Sequence, residues 1–366
     1  MLKKGADMEI EKKQLIGKAR LADVAAMVGV SIVTASKVLT NNSGNNTRVS
    51  VETRRRITEA AQQIGYRPSI AAKMLVGKDT KTIGILLDVN SPPEHFMRVS
   101  RMQEEAEKHG YWLIIGECRA NMSNIANFIS DFVSRGVDGF ISIAHVHRDI
   151  GSQVIELFRQ VGKPVVYYDM PPELLQPELA CVYVDFAAGI SRATEYLYEL
   201  GRQRISFLMP WINYEHGIYH FVTERERGFV QVMRKYGLKY DLEFNYRNNI
   251  WGSDLVCEKV FPVIARLLEE QQPDAVIAGN DSFASLVLSY CHRNNLVVPA
   301  DLAVIGFDNL EFSGFVYPSL TTLDPHTAEA SQTAVSLLLD MIRTGKMPEK
   351  HQYAFVPELI IRESAK

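Results

Sequence analysis

RLADVAAMVGVSIVTASKVLTNNSGNNTRVSVETRRRITEAAQQIGYRPSIAAKMLVGK, residues 20–78, carries the spacing that decides how this chain is built. Leu21, Val24, Ala25 and Val28 recur at helical spacing, Gly29-Val30-Ser31 interrupts the run, and Ile32 to Leu39 restarts it. Two short helices joined by a tight turn are predicted. Gly29 suits the turn because it lacks Cβ and tolerates positive φ, and Ser31 suits the start of the second helix because its hydroxyl can accept from a backbone N–H there. A third helix is predicted from Ser50 as N-cap, through Val51, Glu52, Thr53 and the Arg54-Arg55-Arg56 run, to Gly65.

Three helices in this order form a helix-turn-helix, whose second helix enters the major groove by its N-terminal end. That places Ile32, Val33 and Lys37 at base-reading positions and Ser31, Thr34 and Ser36 at phosphate or capping positions. Ile32 and Val33 can meet thymine methyl groups, which leaves Lys37 to read guanine by hydrogen bond. The alternative, that Ile32 and Val33 are core residues, fails for at least one of them, since adjacent positions on so short a helix cannot both face inward. The arginine run is either a solvated face or a phosphate contact, and beside a helix-turn-helix the second is expected, with Arg54 as the named contact. Residues 1–78 hold 14 Lys and Arg against 6 Asp and Glu, a surplus of +8, so the other 288 residues carry −11 of the chain's net −3. A basic head on an acidic body suits a small domain that meets a polyanion while the body stays off it, with binding that weakens steeply in salt.

From Lys81 the pattern changes to short apolar runs separated by amphipathic stretches such as Ser100 to His109. Residues 82–87, 111–115, 139–143, 164–168, 205–208, 275–278 and 302–306 read as buried strands of parallel sheets. Almost 290 residues exceed one comfortable core, so two doubly wound lobes with a cleft between them are predicted, with ligands outside the carboxyl ends of the strands. The fold class is therefore α/β, an all-α helix-turn-helix domain followed by a two-lobed core. The expected boundaries are a charged tail over 1–19, the helix-turn-helix over 20–66, a hinge helix and linker over 67–80, and the core over 81–366.

Enzymatic signals are poor. There is no G-x-G-x-x-G or G-x-S-x-G, and Gly77-Lys78-Asp79-Thr80 lacks the rest of a phosphate loop. His145-Val146-His147 has no third ligand nearby, so neither metal nor cofactor is expected. Cys118, Cys181, Cys257 and Cys291 are scattered, as in reduced thiols of a cytoplasmic protein, and neither a membrane span nor a signal-peptide core is evident.

Asp23-Val24-Ala25, Gly29-Val30-Ser31, Val49-Ser50 with Thr53-Arg54, Gly65-Tyr66-Arg67-Pro68, Val137-Asp138-Gly139, Gly201 to Ile205, Arg225 with Gly228-Phe229, Asn280-Asp281, Gly306-Phe307-Asp308-Asn309, Leu320-Thr321-Thr322 and Glu358 to Ser364 follow one another in an order that resembles the lactose-repressor/galactose-repressor family of bacterial transcription regulators. The resemblance runs from Arg20 to Ser364. It implies a core like the periplasmic binding proteins, a homodimer on double-stranded operator DNA, and operator affinity controlled by a small-molecule effector bound in the dimerising core. It also implies that Leu75, in a short hinge helix over Ser69 to Val76, wedges into the minor groove, where unstacking is offset by the bend it permits. Arg225, Asp281, Trp251 and Asp169 match effector-binding positions, as do Asp88 and Ser91 in a segment that otherwise departs from the family pattern. The bland alternatives are a capping role for Asp281 and lobe packing for Trp251, while neighbouring Arg227 is expected in a structural ion pair. Further departures are the long Asn41 to Thr47 loop, Ala22 in place of an aromatic residue, and the extra N-terminal tail. A sugar is the expected effector, with a purine or a phosphoprotein partner as alternatives and a phosphosugar as a further one, given Arg225. A sugar-binding protein without DNA function would leave the basic head unexplained.

Overall fold

The computed structural model describes residues 19–39, 49–66, 79–87, 93–117, 121–143, 151–170, 174–209, 220–248 and 256–366. The N-terminal tail, the Asn41 to Thr47 loop, the hinge with Leu75, and Asp88, Ser91, His145, His147 and Trp251 lie outside the described residues. The chain divides into two compact units, 1–80 and 81–366.

The first unit contains α1 (Leu21–Val28), α2 (Ile32–Leu39) and α3 (Val51–Gln63). The axis turns by 107° between α1 and α2, within the range of a helix-turn-helix. Gly29 makes that turn in the left-handed region at φ 73°, and the bonds Val30 N to Ala25 O (3.0 Å) and Gly29 N to Ala26 O (3.2 Å) close the end of α1. Ser31 then accepts from Thr34 N at 3.1 Å, and Ser50 accepts from Thr53 N at the same distance to start α3. Each such cap contributes about 1 kcal/mol. Val24, Ala25, Val28, Ala35, Val38, Ile57, Ala60 and Ala61 form the core, with Leu21, Val30, Leu39, Val49, Ile64 and Tyr66 around it.

The second unit holds two sheets. The first is built from β1 Thr82–Leu87, β2 Trp112–Glu117, β3 Gly139–Ser142, β4 Val165–Tyr168, β5 Ala180–Val184 and β10 Gln352–Phe355, all parallel, in the order β10-β5-β4-β3-β1-β2. The second is built from β6 Ile205–Leu208, β7 Ala275–Ala278, β8 Ala303–Phe307, β9 Thr321–Asp324 and an antiparallel edge strand, β11 Glu358–Ile360, in the order β11-β9-β8-β7-β6. The chain passes from sheet to sheet at Asp185, between Asp324 and Thr327, and between Phe355 and Glu358.

Alternation along each strand feeds two cores per lobe. In the first lobe Ile83, Ile85 and Leu87 pack with Val99, Met102 and Ala106 of α4 (Pro93–Lys108). On that face they also meet Ala334, Val335 and Leu338 of the helix Thr327–Thr344. Leu86, Phe140 and Tyr167 turn the other way, onto α5 (Met122–Ser134) and α6 (Gly151–Val161). In the second lobe Ile205, Phe207, Ile277 and Ile305 face α7 (Phe186–Glu199) and α8 (His220–Lys235), and Val276, Ala278 and Val304 face the helices Cys257–Gln271 and Asp281–Arg293. Strands covered on both faces carry near-continuous apolar runs, each fully buried Ile or Val adding roughly 1.5–3 kcal/mol. Helices α7 and α8 touch at Gly228, where a Cβ would overlap the carbonyl of Ala187.

The predicted strands are present with ends shifted by a residue or two, whereas β5, β9, β10 and β11 were not predicted. These lie at lobe crossings or sheet edges, and β10 and β11 have half-exposed or exposed residues that break the apolar pattern. Helix α4 begins at Pro93, before the expected Ser100, because a proline at the first helical turn gives up a donor that has no partner there.

Candidate functional site

The start of α2 carries an inversion of the burial rule. Ile32 and Val33 are 53% and 64% exposed, while Ala35 and Val38 on the same helix are buried. Ser31 is exposed, its hydroxyl shared between the Thr34 N–H and the Thr34 hydroxyl 2.9 Å away, and Ser36 and Lys37 are half-buried along the helix flank. The three arginines of the run have different surroundings. Arg55 is clamped along its own helix by Glu52 (2.6 Å) and Glu59 (2.8 Å), and these carboxylates raise its pKa further. Arg56 donates to Val28 O at 3.1 Å, tying α3 to the end of α1. Arg54 is exposed on the helix surface.

The body shows the opposite inversion, with charged groups out of water. In the first lobe Asp169 follows the last residue of β4, at the carboxyl end of a parallel strand where ligands of such sheets bind. Its backbone is left-handed (φ 59°), held by Asp169 N donating to Val182 O at 2.7 Å, and its carboxylate is ion-paired through Oδ2 with Arg98 Nη1 of α4. Both side chains are 4% exposed. The Arg98 guanidinium also lies 5.5 Å from the ring centroid of Tyr168, whose phenol is pushed up to about 12 by burial. Among the described residues Asp169 Oδ1 is buried and accepts no hydrogen bond. Arg98 was not singled out from sequence.

In the second lobe Arg225, buried on α8, sits in the notch between two tilted rings, its guanidinium carbon 4.1 Å from the centroid of Phe186 and 4.2 Å from that of Phe307. Phe186 opens α7 just past β5, and Phe307 closes β8, so this arginine too belongs to strand ends. Neither ring was recognised from sequence, since each reads as ordinary core. Arg227 pairs with Glu224, as expected of a structural ion pair.

Asp281 is fully buried. The cap of its helix is Asn280, which accepts from Phe283 N at 2.7 Å, so the capping alternative for Asp281 is replaced by a different structural duty. Asp281 Oδ1 accepts from the Thr322 hydroxyl (2.5 Å), and Oδ2 accepts from the Ser313 hydroxyl (2.6 Å) and Leu310 N (2.8 Å). Burial lifts this carboxyl from its ordinary 3.8 to about 6, against the pull of those donors. Gly306 lacks the Cβ that would overlap Oδ1. The carboxylate shows no oxygen to solvent and binds β9 to the segment over 308–314, where Asp308 and Asn309 adopt positive φ.

Residues 20–69 match the family described as bacterial regulatory proteins, lacI family, and residues 194–365 match the periplasmic binding protein-like domain. Over 359 residues the chain is 30% identical to the HTH-type transcriptional repressor CytR of Escherichia coli (strain K12), spanning 95% of this chain and 96% of that one. The chain belongs to the lacI family of bacterial regulatory proteins. This lacI-family regulator is also 28% identical to the HTH-type transcriptional repressor PurR of Photobacterium profundum over 95% of its length and 99% of the relative's. Its fold matches the lac repressor dimer bound to operator and the anti-inducer ONPF (TM-score 0.78, 20% identity, covering 95% and 99%). It also matches the CelR-cellobiose complex (TM-score 0.64, 23% identity, covering 95% and 100%). The expected fold class, an all-α DNA-binding head and an α/β core of parallel sheets, is the one found. Regulators of this family bind operator DNA and small-molecule effectors and are dimers, and these relatives are transcriptional repressors, which are not enzymes. No single helix among the described residues is long and apolar enough to cross a membrane.

Proposed function

We propose that this lacI-family regulator is a repressor that grips a palindromic operator as a homodimer and releases or tightens that grip when a small effector, a sugar in the first instance, enters its body. The observation that carries the reading is the exposed Ile32-Val33 pair at the capped start of a helix otherwise packed into the core of the head. Two branched apolar side chains in water cost free energy that contact with thymine methyl groups recovers. Lys37 supplies the hydrogen-bonding base contact, and Ser31, Thr34, Ser36 and Arg54 supply phosphate contacts. Leu75 is the minor-groove wedge. In the body, Arg225 presents the edge of a guanidinium held in place by Phe186 and Phe307, a geometry suited to two neighbouring hydroxyls. Asp169, Asp88, Ser91 and Trp251 complete the effector site, and Asp281 shapes it through the segment that it binds. An effector acts only by its differential affinity for the two states of the dimer.

Selection from a random duplex pool with the full chain tests the DNA half, since a two-fold-symmetric site is expected and its absence refutes it. Thermal-shift screening with neutral sugars and nucleosides tests the other half, and Arg225→Ala is expected to abolish any hit.

A further inference from the structure

The Arg98–Asp169 pair raises a question that folding alone does not answer. A buried ion pair is weak evidence for stability, because desolvation of both charges offsets their attraction, and the penalty grows when one partner keeps an unsatisfied oxygen. Asp169 does keep one: Oδ2 is taken by Arg98, whereas Oδ1 is buried and accepts nothing among the described residues. The arrangement is also rigid. Asp169 is held in the left-handed region with its N–H on Val182 O, and Arg98 is fixed by its stack on Tyr168 and by Ser331 Oγ donating to its carbonyl (3.3 Å). A preorganised, charge-neutralised acceptor at the carboxyl end of a parallel strand has the chemistry of a recognition group.

We propose that Arg98 is a positioning residue for effector specificity: it neutralises Asp169 and turns Oδ1 into an acceptor for a hydroxyl or N–H of the effector, which selects uncharged, donor-bearing ligands over their phosphorylated or carboxylated counterparts. An anion brought against Oδ1 meets a carboxylate lone pair, which repels it. A neutral polyol or nucleoside brings the donor that Oδ1 lacks. The inference rests on the effector reading above and deepens it by naming the ligand class.

The test uses the full chain and a fixed probe set of neutral monosaccharides and nucleosides, each with its monophosphate and O-methyl ethers, first by melting shift and then by titration of the best probe. The neutral parent is expected to bind at least tenfold tighter than its monophosphate, and one methyl ether, which keeps the acceptor but loses the donor, is expected to lose tenfold or more. Asp169→Asn and Arg98→Met should each weaken the parent tenfold or more, and Arg98→Lys should recover part of the loss. If Arg98 acts through Asp169, the double variant R98M/D169N binds no worse than the weaker single variant. This non-additivity appears in effector affinity while the melting temperatures without effector stay alike, which separates it from the structural coupling of a buried pair. Where Arg98→Met fails to fold, the Arg98→Lys and Asp169→Asn arms decide the matter with both side-chain lengths nearly preserved. A probe that binds wild type and Arg98→Met equally while Arg225→Ala abolishes it overturns the inference and leaves the effector reading standing. Selection of the monophosphate over its parent overturns it too. Silence from every probe counts against both.

Discussion

The head exposes what proteins usually hide, and the body hides what they usually expose. Ile32 and Val33 stand in water at the start of α2, while Arg98, Asp169, Arg225 and Asp281 are enclosed in lobes whose cores are largely apolar. Informative residues are those that break the burial rule, because selection for stability alone would exchange them. The two inversions also differ in what a mutation touches. In the head it alters an exposed surface, with little effect expected on folding, and in the body it disturbs a network of buried ion pairs and hydrogen bonds.

The largest effect is therefore expected at Asp281. Asp281→Ala strands the Thr322 and Ser313 hydroxyls and Leu310 N–H inside the second lobe. A loss of about 3–5 kcal/mol is expected, measurable by urea unfolding. The same carboxyl has a pH signature. The folded chain holds its proton more tightly than the unfolded one, so the associated stability is complete below pH 3.8 and is lost as the pH rises through about 6. Asp281→Asn removes that slope, and the wild-type-minus-variant difference between pH 4 and pH 7 is the quantity to measure. An unchanged slope would mean that Asp281 is not the group responsible.

Arg225→Ala should follow in size, with effector affinity down by more than tenfold and operator affinity without effector retained. Loss of both would make Arg225 part of the general packing of the Phe186–Phe307 notch. In the head, Ile32→Ala and Val33→Ala should each weaken operator binding by about 1–3 kcal/mol while moving stability by less than about 0.5 kcal/mol. A fall in melting temperature in proportion to binding would place them in the core after all. The smallest and sharpest contrast lies within α3. Arg54→Ala should lower the slope of log affinity against log salt by about 1, whereas Arg55→Ala, whose charge is already met by Glu52 and Glu59, should leave the slope as it is.

How far the sequence could be read follows from the same contrast. The turn at Gly29, the caps at Ser31 and Ser50, and the outward pair Ile32-Val33 depend on near neighbours, so local rules reach them. Strands β1 to β4 and β6 to β8 were legible because each carries a largely apolar run, as strands of parallel sheets do. Strands β5 and β9 lie at lobe crossings where the pattern merges with polar turns, and β10 and β11 are short edge strands whose polar and exposed positions break the apolar run that the edge strands β2 and β6 keep. Within the arginine run the sequence shows part of the placement: Glu52 and Glu59 stand three before and four after Arg55, a helical spacing that pairs them with it, whereas nothing in the sequence places Val28 O within reach of Arg56. Arg98 was hidden for a related reason: its partner is 71 residues away, across the sheet, and nothing near it in the chain marks a buried cation.

The most direct test of a DNA-reading head governed by the Ile32-Val33 surface is to measure affinity for the enriched duplex from 50 to 200 mM salt, with wild type and the double variant Ile32→Ala/Val33→Ala side by side. The account expects wild type to prefer the enriched site over scrambled DNA and the double variant to lose that preference, while keeping the same salt slope and melting temperature. Undiminished preference in the double variant, or none in wild type at any salt, would contradict it.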